Sequence, residues 1–280
     1  MSLLKILQYL NFDVVLGAIL SLLMVQHLSD VLPQLSVSVC LALAVFVVYS
    51  TDRLLDVFGN KESDILTTRH RFYFKHFGGL ALLTAQAIWV GGVVAWQSLP
   101  NTVWIFGLRL SAAVVAYLLL VQILPKPIKI YFPKEVLTAF VYCAGIWGSV
   151  KAQGAQTSMA WYWAASVFGL IALLNLLLFT YYEYDRDLKQ QQAALFHRWG
   201  KKKIKLIFNV LAVIILLSVV MLMWQKHTPH IWLWVEMTEM AMALWLVLVM
   251  YQPKLFRRAS RYRFAADAVF LFPAWVLFLN

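Results

Sequence analysis

Charged residues are scarce. Asp, Glu, Lys and Arg make up 13% of the chain, where a soluble domain carries about 25%. That scarcity excludes an ordinary water-soluble globule, because a core of 280 residues cannot hide a hydrophobic content of 62%. The excess apolar surface faces lipid. Cysteine is almost missing too. Cys40 and Cys143 both fall in apolar runs, which argues against a disulfide framework or a cysteine zinc site and leaves them as small buried hydrophobes. The strict period-2 alternation of a membrane barrel is absent, so strands are not expected. Acids are outnumbered, 13 against 24 Lys and Arg, for a net charge of +11. Nucleic acid is nevertheless not the expected partner. The cations sit in loops between apolar runs, where lipid headgroups or phosphates meet them. Residues 1–12 are mildly polar and lead straight into further apolar runs, so they do not read as a cleaved signal.

What is present is a series of apolar runs near the roughly 20 residues needed to cross a bilayer. Nine are read, at 13–29, 35–51, 77–97, 103–122, 135–150, 159–182, 205–224, 231–250 and 262–279. The fifth is short and holds Gly145 and Gly148, which predicts a tilted, broken or tightly packed helix. The expectation is an all-α polytopic membrane protein, residues 1–280 forming one integral membrane domain. The cations support this count. Only Lys151 and Lys226, of 24 Lys and Arg, lie in one set of alternate loops; Arg109 lies within the fourth run, and the rest gather on the opposite side. That asymmetry puts the amino terminus in the cytoplasm and, with nine spans, the carboxy terminus outside an inner or plasma membrane.

The costliest residues are two acidic clusters, Thr51-Asp52-Arg53-Leu54-Leu55-Asp56 and Glu183-Tyr184-Asp185-Arg186-Asp187. They end the second and sixth runs, on the cytoplasmic side, and each opens one of the two longest loops, 52–76 and 184–204. Those loops are long enough for short cap helices over the mouth. Matching positions four runs apart hint at an internal duplication. Asp52 and Asp56 are four apart, as are Glu183 and Asp187, which places each pair on one helix face with Cβ atoms about 6 Å apart. Two such faces on one cavity offer hard oxygen ligands to Mg²⁺ ions that could clamp a diphosphate, with loop cations meeting the remaining phosphate charge. The bland alternative is that the charges mark the membrane boundary and pair among themselves.

Nine helices with acidic motifs after the second and sixth resemble the UbiA superfamily of intramembrane prenyltransferases. That family's first motif reads Asn-Asp-x-x-Asp-x-x-x-Asp. In the same register this chain has Val48-Tyr49-Ser50-Thr51-Asp52-Arg53-Leu54-Leu55-Asp56. The last two aspartates and the arginine match, and Val48-Tyr49 replaces Asn-Asp. The second motif, Asp-x-x-x-Asp, resembles Tyr182-Glu183-Tyr184-Asp185-Arg186-Asp187, with Glu183 in place of one Asp. Lys134, eleven residues before Gly145, is similar to a family lysine after the fourth helix. The resemblance implies Mg²⁺-dependent transfer of a prenyl group from an isoprenoid diphosphate to a lipid-phase acceptor, expected to be an aromatic ring, among membrane lipids. It implies catalytic Asp52, Asp56, Glu183 and Asp187, with Asp185 added as a metal ligand. It implies diphosphate contacts from Arg53, Arg69, Lys134 and Arg186. Tyr49, Tyr142, Tyr181, Tyr184 and Asn175 are at depths suited to a cavity wall. A noncatalytic lipid- or isoprenoid-binding relative, or a small-molecule transporter, is the alternative.

Three expectations concern the remaining polar residues. Arg109 is expected to pair with Glu236 or Glu239 inside the membrane. Asp267 is expected to pair with Arg263 one turn back. Asn175 is expected to bond to a neighbouring helix. His70 and His76, with Arg69, Arg71 and Lys75, read as a phosphate-facing patch rather than a metal site.

Overall fold

The computed structural model describes residues 3–58, 68–124, 128, 131, 133–189, 195–224, 230–257 and 261–278. Among these the regular structure is helical throughout. Helix α1 is Leu3–Tyr9, α2 Phe12–Leu28, α3 Leu35–Val57, α4 Thr68–Lys75, α5 Phe77–Ser98 and α6 Asn101–Ile123. Then come α7 Lys134–Cys143, α8 Met159–Lys189, α9 Gly200–Trp224, α10 His230–Tyr251 and α11 Arg261–Asp267. In hydrocarbon each backbone N–H and C=O must find its partner within the segment, so apolar runs without breakers wind into helices. The breaks fall where the chain supplies them. Asn11 takes a left-handed conformation (φ 60) between α1 and α2, Pro100 precedes α6, and Gly200 (φ 77) opens α9.

Among the described residues, six helical stretches are long and apolar enough to cross a membrane: Leu35–Val57, Phe77–Ser98, Asn101–Val121, Met159–Leu188, Leu195–Trp224 and Ile231–Tyr251. The other three expected spans differ in kind. Helix α2 is apolar but has 17 residues. Helix α7 passes into a π-helical turn, Ala144–Gly148, before a last α turn at Ser149–Ala152. Gly148 permits that path: a Cβ there would lie 2.4 Å from Phe106 Cζ. Beyond α11 the chain tightens into a 3-10 helix, Ala268–Phe278, around Pro273, which has no N–H to donate.

Helix α8 is the axis of the bundle. Its apolar window is 61% buried, against 11% for Leu35–Val57 and Asn101–Val121. Phe168, Ile171, Leu174, Leu177 and Leu178 are fully enclosed, packed by α7, α9, α10 and α11. Lipid is as apolar as leucine, so close fit rather than water exclusion holds such helices together. Gly17 shows the fit: a Cβ there would stand 2.6 Å from Phe270 Cβ, so α2 and the terminal 3-10 segment meet almost backbone to backbone. Outward faces are apolar, with Leu82, Trp89, Trp96 and Leu217 well exposed. Residues 59–67 and 190–194, which make up much of the two expected cap loops, lie outside the described residues.

Candidate active site

One end of the bundle holds a cavity of about 590 Å³. Helix α3 brings Tyr49, Asp52, Arg53 and Asp56 to it, and α4 folds back with Arg69 and His70. Helix α7 contributes Lys134, Glu135 and Tyr142, and α8 contributes Asn175, Glu183, Arg186 and Asp187. Arg263 and Asp267 come from α11, and His197 from the 3-10 turn Leu195–Trp199. Both acidic clusters therefore line one cavity, together with the four expected diphosphate cations. Its deeper wall is apolar and aromatic, with Val48, Leu176, Phe179 and Phe270.

The first cluster draws partners from three helices, α3, α4 and α7. Lys134 Nζ lies 3.3 Å from Asp52 Oδ1. Arg53 Nη1 stands 3.7 Å from Asp52 Oδ2 and 3.5 Å from Asp56 Oδ2. His70 Nε2 is 3.5 Å from the same Asp56 oxygen and 3.4 Å from Arg53 Nη1. Burial draws the His70 imidazole below its ordinary pKa, against the opposing effect of its bond to Asp56, so the ring is neutral at pH 7. Burial, with Arg53 and Arg263 nearby, brings Arg69 down to about 10, which still leaves a cation. Arg69 Nη2 donates to the Gln8 carbonyl at 3.3 Å and to Asn11 Oδ1, while its Nε has no partner among the described residues.

The second cluster is bound tightly. Glu183 Oε1 accepts from Arg263 Nε at 2.6 Å, Arg263 Nη2 at 2.5 Å and the Tyr262 hydroxyl at 2.8 Å. Its other oxygen, Oε2, is paired with Arg186 Nη2. Asp187 meets His197 Nε2 at 3.3 Å and Arg186 Nε at 3.7 Å. Deeper on α8, Thr180 Oγ1 donates to Glu135 Oε1 at 3.2 Å.

Several expected residues stand elsewhere. Asp185 points away from the cavity, its side chain 74% exposed and 3.0 Å from Lys201 Nζ. Three residues after Asp52 or Glu183 a helix still faces the same way, but two residues after Glu183 it has turned well round. Tyr184 does not line the cavity. It stacks on His197 with centroids 5.4 Å apart, and its hydroxyl donates to the His197 carbonyl. Tyr181 packs against Tyr182 instead. Asn175 lines the cavity and also bonds across helices, its Nδ2 3.4 Å from Asp267 Oδ1. The Asp267–Arg263 pair is not formed, because Arg263 reaches Glu183. The Arg109 pair is not formed either. Arg109 is exposed on α6, and all four carboxylate oxygens of the buried Glu236 and Glu239 lack a hydrogen-bond partner among the described residues. Matching depth on two helices does not fix which way each side chain points. His76 packs at a tilt against Phe72 rather than lining the cavity. Glu135, His197, Tyr262, Arg263 and Asp267 were not read as site residues. Only a long-range pairing signal could have found them, since their partners lie 45 to 92 positions away for Glu135, Tyr262, Arg263 and Asp267.

The donor set suits a hard cation, as six carboxylates line the cavity: Asp52, Asp56, Glu135, Glu183, Asp187 and Asp267. Among the described residues no three His, Cys, Asp or Glu side chains are already gathered as a metal shell. Asp52 meets Lys134 and Arg53 at 3.3 and 3.7 Å, and Asp187 meets His197 and Arg186 at 3.3 and 3.7 Å. Glu183 has both oxygens committed.

This is the architecture of an all-α intramembrane protein with a charged mouth over an apolar groove. Among solved structures it is similar to an apo UbiA homologue from Aeropyrum pernix, with a TM-score of 0.66, 13% identity, and coverage of 94% of this chain and 96% of that one. It is also similar to a UbiA homologue from Archaeoglobus fulgidus bound to DMAPP and Mg²⁺, with a TM-score of 0.64, 12% identity, and coverage of 98% and 99%. A UbiA homologue from Archaeoglobus fulgidus bound to GPP and Mg²⁺ aligns with a TM-score of 0.54 and 14% identity over 97% and 98% of the chains. The chain therefore has the UbiA fold. No family model and no curated protein sequence matches it.

Proposed function

We propose that this chain is a member of the UbiA superfamily that transfers a prenyl group from an isoprenoid diphosphate to a lipid-phase acceptor, with Mg²⁺. The observation that carries this is the convergence of Asp52, Asp56, Glu183 and Asp187 with Lys134, Arg53, Arg69 and Arg186 on one cavity. UbiA homologues of the same fold from Archaeoglobus are bound to DMAPP or GPP with Mg²⁺. The proposal includes a single nine-span unit with caps after the second and sixth spans, cytoplasmic amino terminus and external carboxy terminus. The mouth then faces a cytoplasmic pool of diphosphate.

Asp52, Asp56 and Asp187 would hold the metal. When bound, Mg²⁺ supplies positive charge that offsets the diphosphate and its growing charge as a leaving group. Lys134 lies against Asp52, and Arg53 against Asp52 and Asp56; both cations would be placed to meet phosphate oxygens if those carboxylates held metal. Arg186 and Arg263 are held in place by Glu183 and present their remaining donors to the anion. Glu183 thus positions cations rather than ligating metal. The apolar wall receives the prenyl chain and keeps water from the reactive carbon. The faces of Tyr49 and Tyr142 offer negative electrostatic potential to an allylic cation without a strong nucleophile.

A second reading, binding of an isoprenoid diphosphate without turnover, is favoured by Val48-Tyr49 standing in place of Asn-Asp. One experiment separates the two. Purified protein in nanodiscs is given tritiated geranyl diphosphate, Mg²⁺ and extracted membrane lipids. Label passing into the lipid phase in a Mg²⁺-dependent way, and lost in Asp56→Ala, supports transfer. Mg²⁺-dependent binding without transfer supports the second reading, and no binding rejects both.

A further inference from the structure

The short break between α1 and α2 holds a residue that the acidic motifs do not include. Leu10 and Asn11 separate the two helices, and Asn11 takes φ 60, ψ 24. Asparagine enters this left-handed conformation more readily than most residues with a side chain, because its short amide can bond locally. Here the amide bonds across the fold instead. Asn11 is fully buried. Its Nδ2 donates to the Tyr73 hydroxyl at 3.3 Å, and its Oδ1 accepts from Arg69 Nη2. Both partners lie on α4, four residues apart, hence on one face of that helix.

Neighbouring contacts run between the same two segments. Arg69 Nη2 also donates to the Gln8 carbonyl at 3.3 Å. The Tyr9 hydroxyl bonds to Thr68 Oγ1 at 3.2 Å, and its ring packs on Phe72 with centroids 5.5 Å apart. The Tyr73 hydroxyl, in turn, lies 3.4 Å from Ser50 Oγ on α3, two residues before Asp52. Arg69 is the member of this network that lines the cavity, and its Nε has no hydrogen-bond partner among the described residues. A guanidinium carries its five donors in one rigid plane. Fixing one nitrogen against Asn11 and Gln8 therefore fixes where the others point. A side chain ordered beforehand also loses less freedom when it meets an anion.

We propose that Asn11 is a positioning residue for the diphosphate site, holding the Arg69 guanidinium in the orientation that meets the anion. This rests on the isoprenoid-diphosphate reading of the mouth. Asn11 itself does not touch the ligand. Its residue type follows from three demands made at one position: a left-handed backbone, an acceptor for Arg69 and a donor for Tyr73. Glycine meets the first demand alone. Aspartate keeps the turn and the acceptor, but its negative charge competes with the anion for Arg69. Asn11 meets all three and leaves the charge of Arg69 to the ligand.

The test uses the full chain in nanodiscs and Mg²⁺-dependent binding of tritiated geranyl thiolodiphosphate. Asn11→Gly and Asn11→Asp should each weaken binding about fivefold or more, a coupling of ordinary size within one hydrogen-bond network. Repeated in Arg69→Ala, the same two substitutions should change binding by less than about twofold, because the group they act through is gone. Tyr73→Phe, which removes only the other bond of Asn11, should stay within about twofold of the wild type. A purely structural role for Asn11 predicts a different pattern, with binding weakened equally whether or not Arg69 is present. That pattern overturns the proposal, as does unchanged binding in both Asn11 variants, or a loss in Tyr73→Phe as large as in Asn11→Gly. If Asn11→Gly does not fold, Asn11→Asp, which keeps an acceptor for Arg69, takes its place. If Arg69→Ala binds too weakly to measure, the comparison with Tyr73→Phe decides. Absence of Mg²⁺-dependent binding in the wild type would remove the reading of the mouth itself. Wild-type binding that ignores Asn11 removes this inference only, so the two failures are distinguishable.

Discussion

The two acidic clusters occupy equivalent places at the ends of α3 and α8, yet they are held in opposite ways. Asp52 meets Lys134 and Arg53 at 3.3 and 3.7 Å, longer than the 2.7–2.9 Å of a strong charged hydrogen bond. Glu183 is gripped by two arginines and a tyrosine, with three contacts between 2.5 and 2.8 Å. The difference lies in what packs opposite. Cluster one faces the flexible Lys134 and its own Arg53. Cluster two faces α11, which delivers Tyr262 and Arg263 from a rigid helix. A loosely held carboxylate can exchange a lysine for a metal ion. A saturated one can only organise its partners. On the proposed reading, resemblance in sequence position covers two roles, one cluster ligating metal and the other organising cations.

Substitutions can break that comparison. The largest effect is expected for Glu183→Ala, which strands Arg263 partly buried without its counter-charge and leaves Arg186 only its 3.7 Å contact to Asp187. Removing one member of such a pair costs about 3–5 kcal/mol, so thermal unfolding in detergent should show a marked loss of stability. Next come Asp52→Asn and Asp56→Asn. They should fold as the wild type does, while Mg²⁺-dependent binding of a thiolodiphosphate weakens 10- to 100-fold, the scale at which altered metal environments act. Equal loss of stability in all three variants would erase the distinction.

A pH scan sharpens it further. His70 touches cluster one, and burial lowers its pKa in the folded state. The unfolded chain therefore takes up that proton first as pH falls below about 6.5, so folding stability should decline through that window. His70→Gln should flatten this part of the curve, as unfolding temperature against pH will report. The smallest effect belongs to Asp185→Asn. Its surface pair with Lys201 should be worth no more than about 0.5–1 kcal/mol, with diphosphate binding unchanged in a filter assay.

The fold was legible because the bilayer makes helices of apolar runs and sorts cations to one side. The acids of the mouth were legible because charge at a membrane border stands out against Leu and Val. What surrounds them was not. Arg263 was read locally, as one turn from Asp267, but its long side chain finds Glu183 across the bundle. Arg109 and Glu239 both fall within apolar runs, yet one is exposed and the other enclosed. Asp185 sits in the motif by position and outside the cavity by helical angle. Sequence spacing carries depth and local angle. It does not carry the rotation of one helix against another, and that rotation decides which charges meet.

The central claim is that cluster one and Asp187 take the metal while Glu183 keeps its arginines. Crystals grown with Mn²⁺ and geranyl thiolodiphosphate test it through anomalous scattering. The account predicts Mn²⁺ peaks within coordination distance of Asp52, Asp56 and Asp187, with Glu183 still bound to Arg186 and Arg263. A peak on Glu183 with its arginines released, or no metal in the cavity with the diphosphate bound, would contradict it.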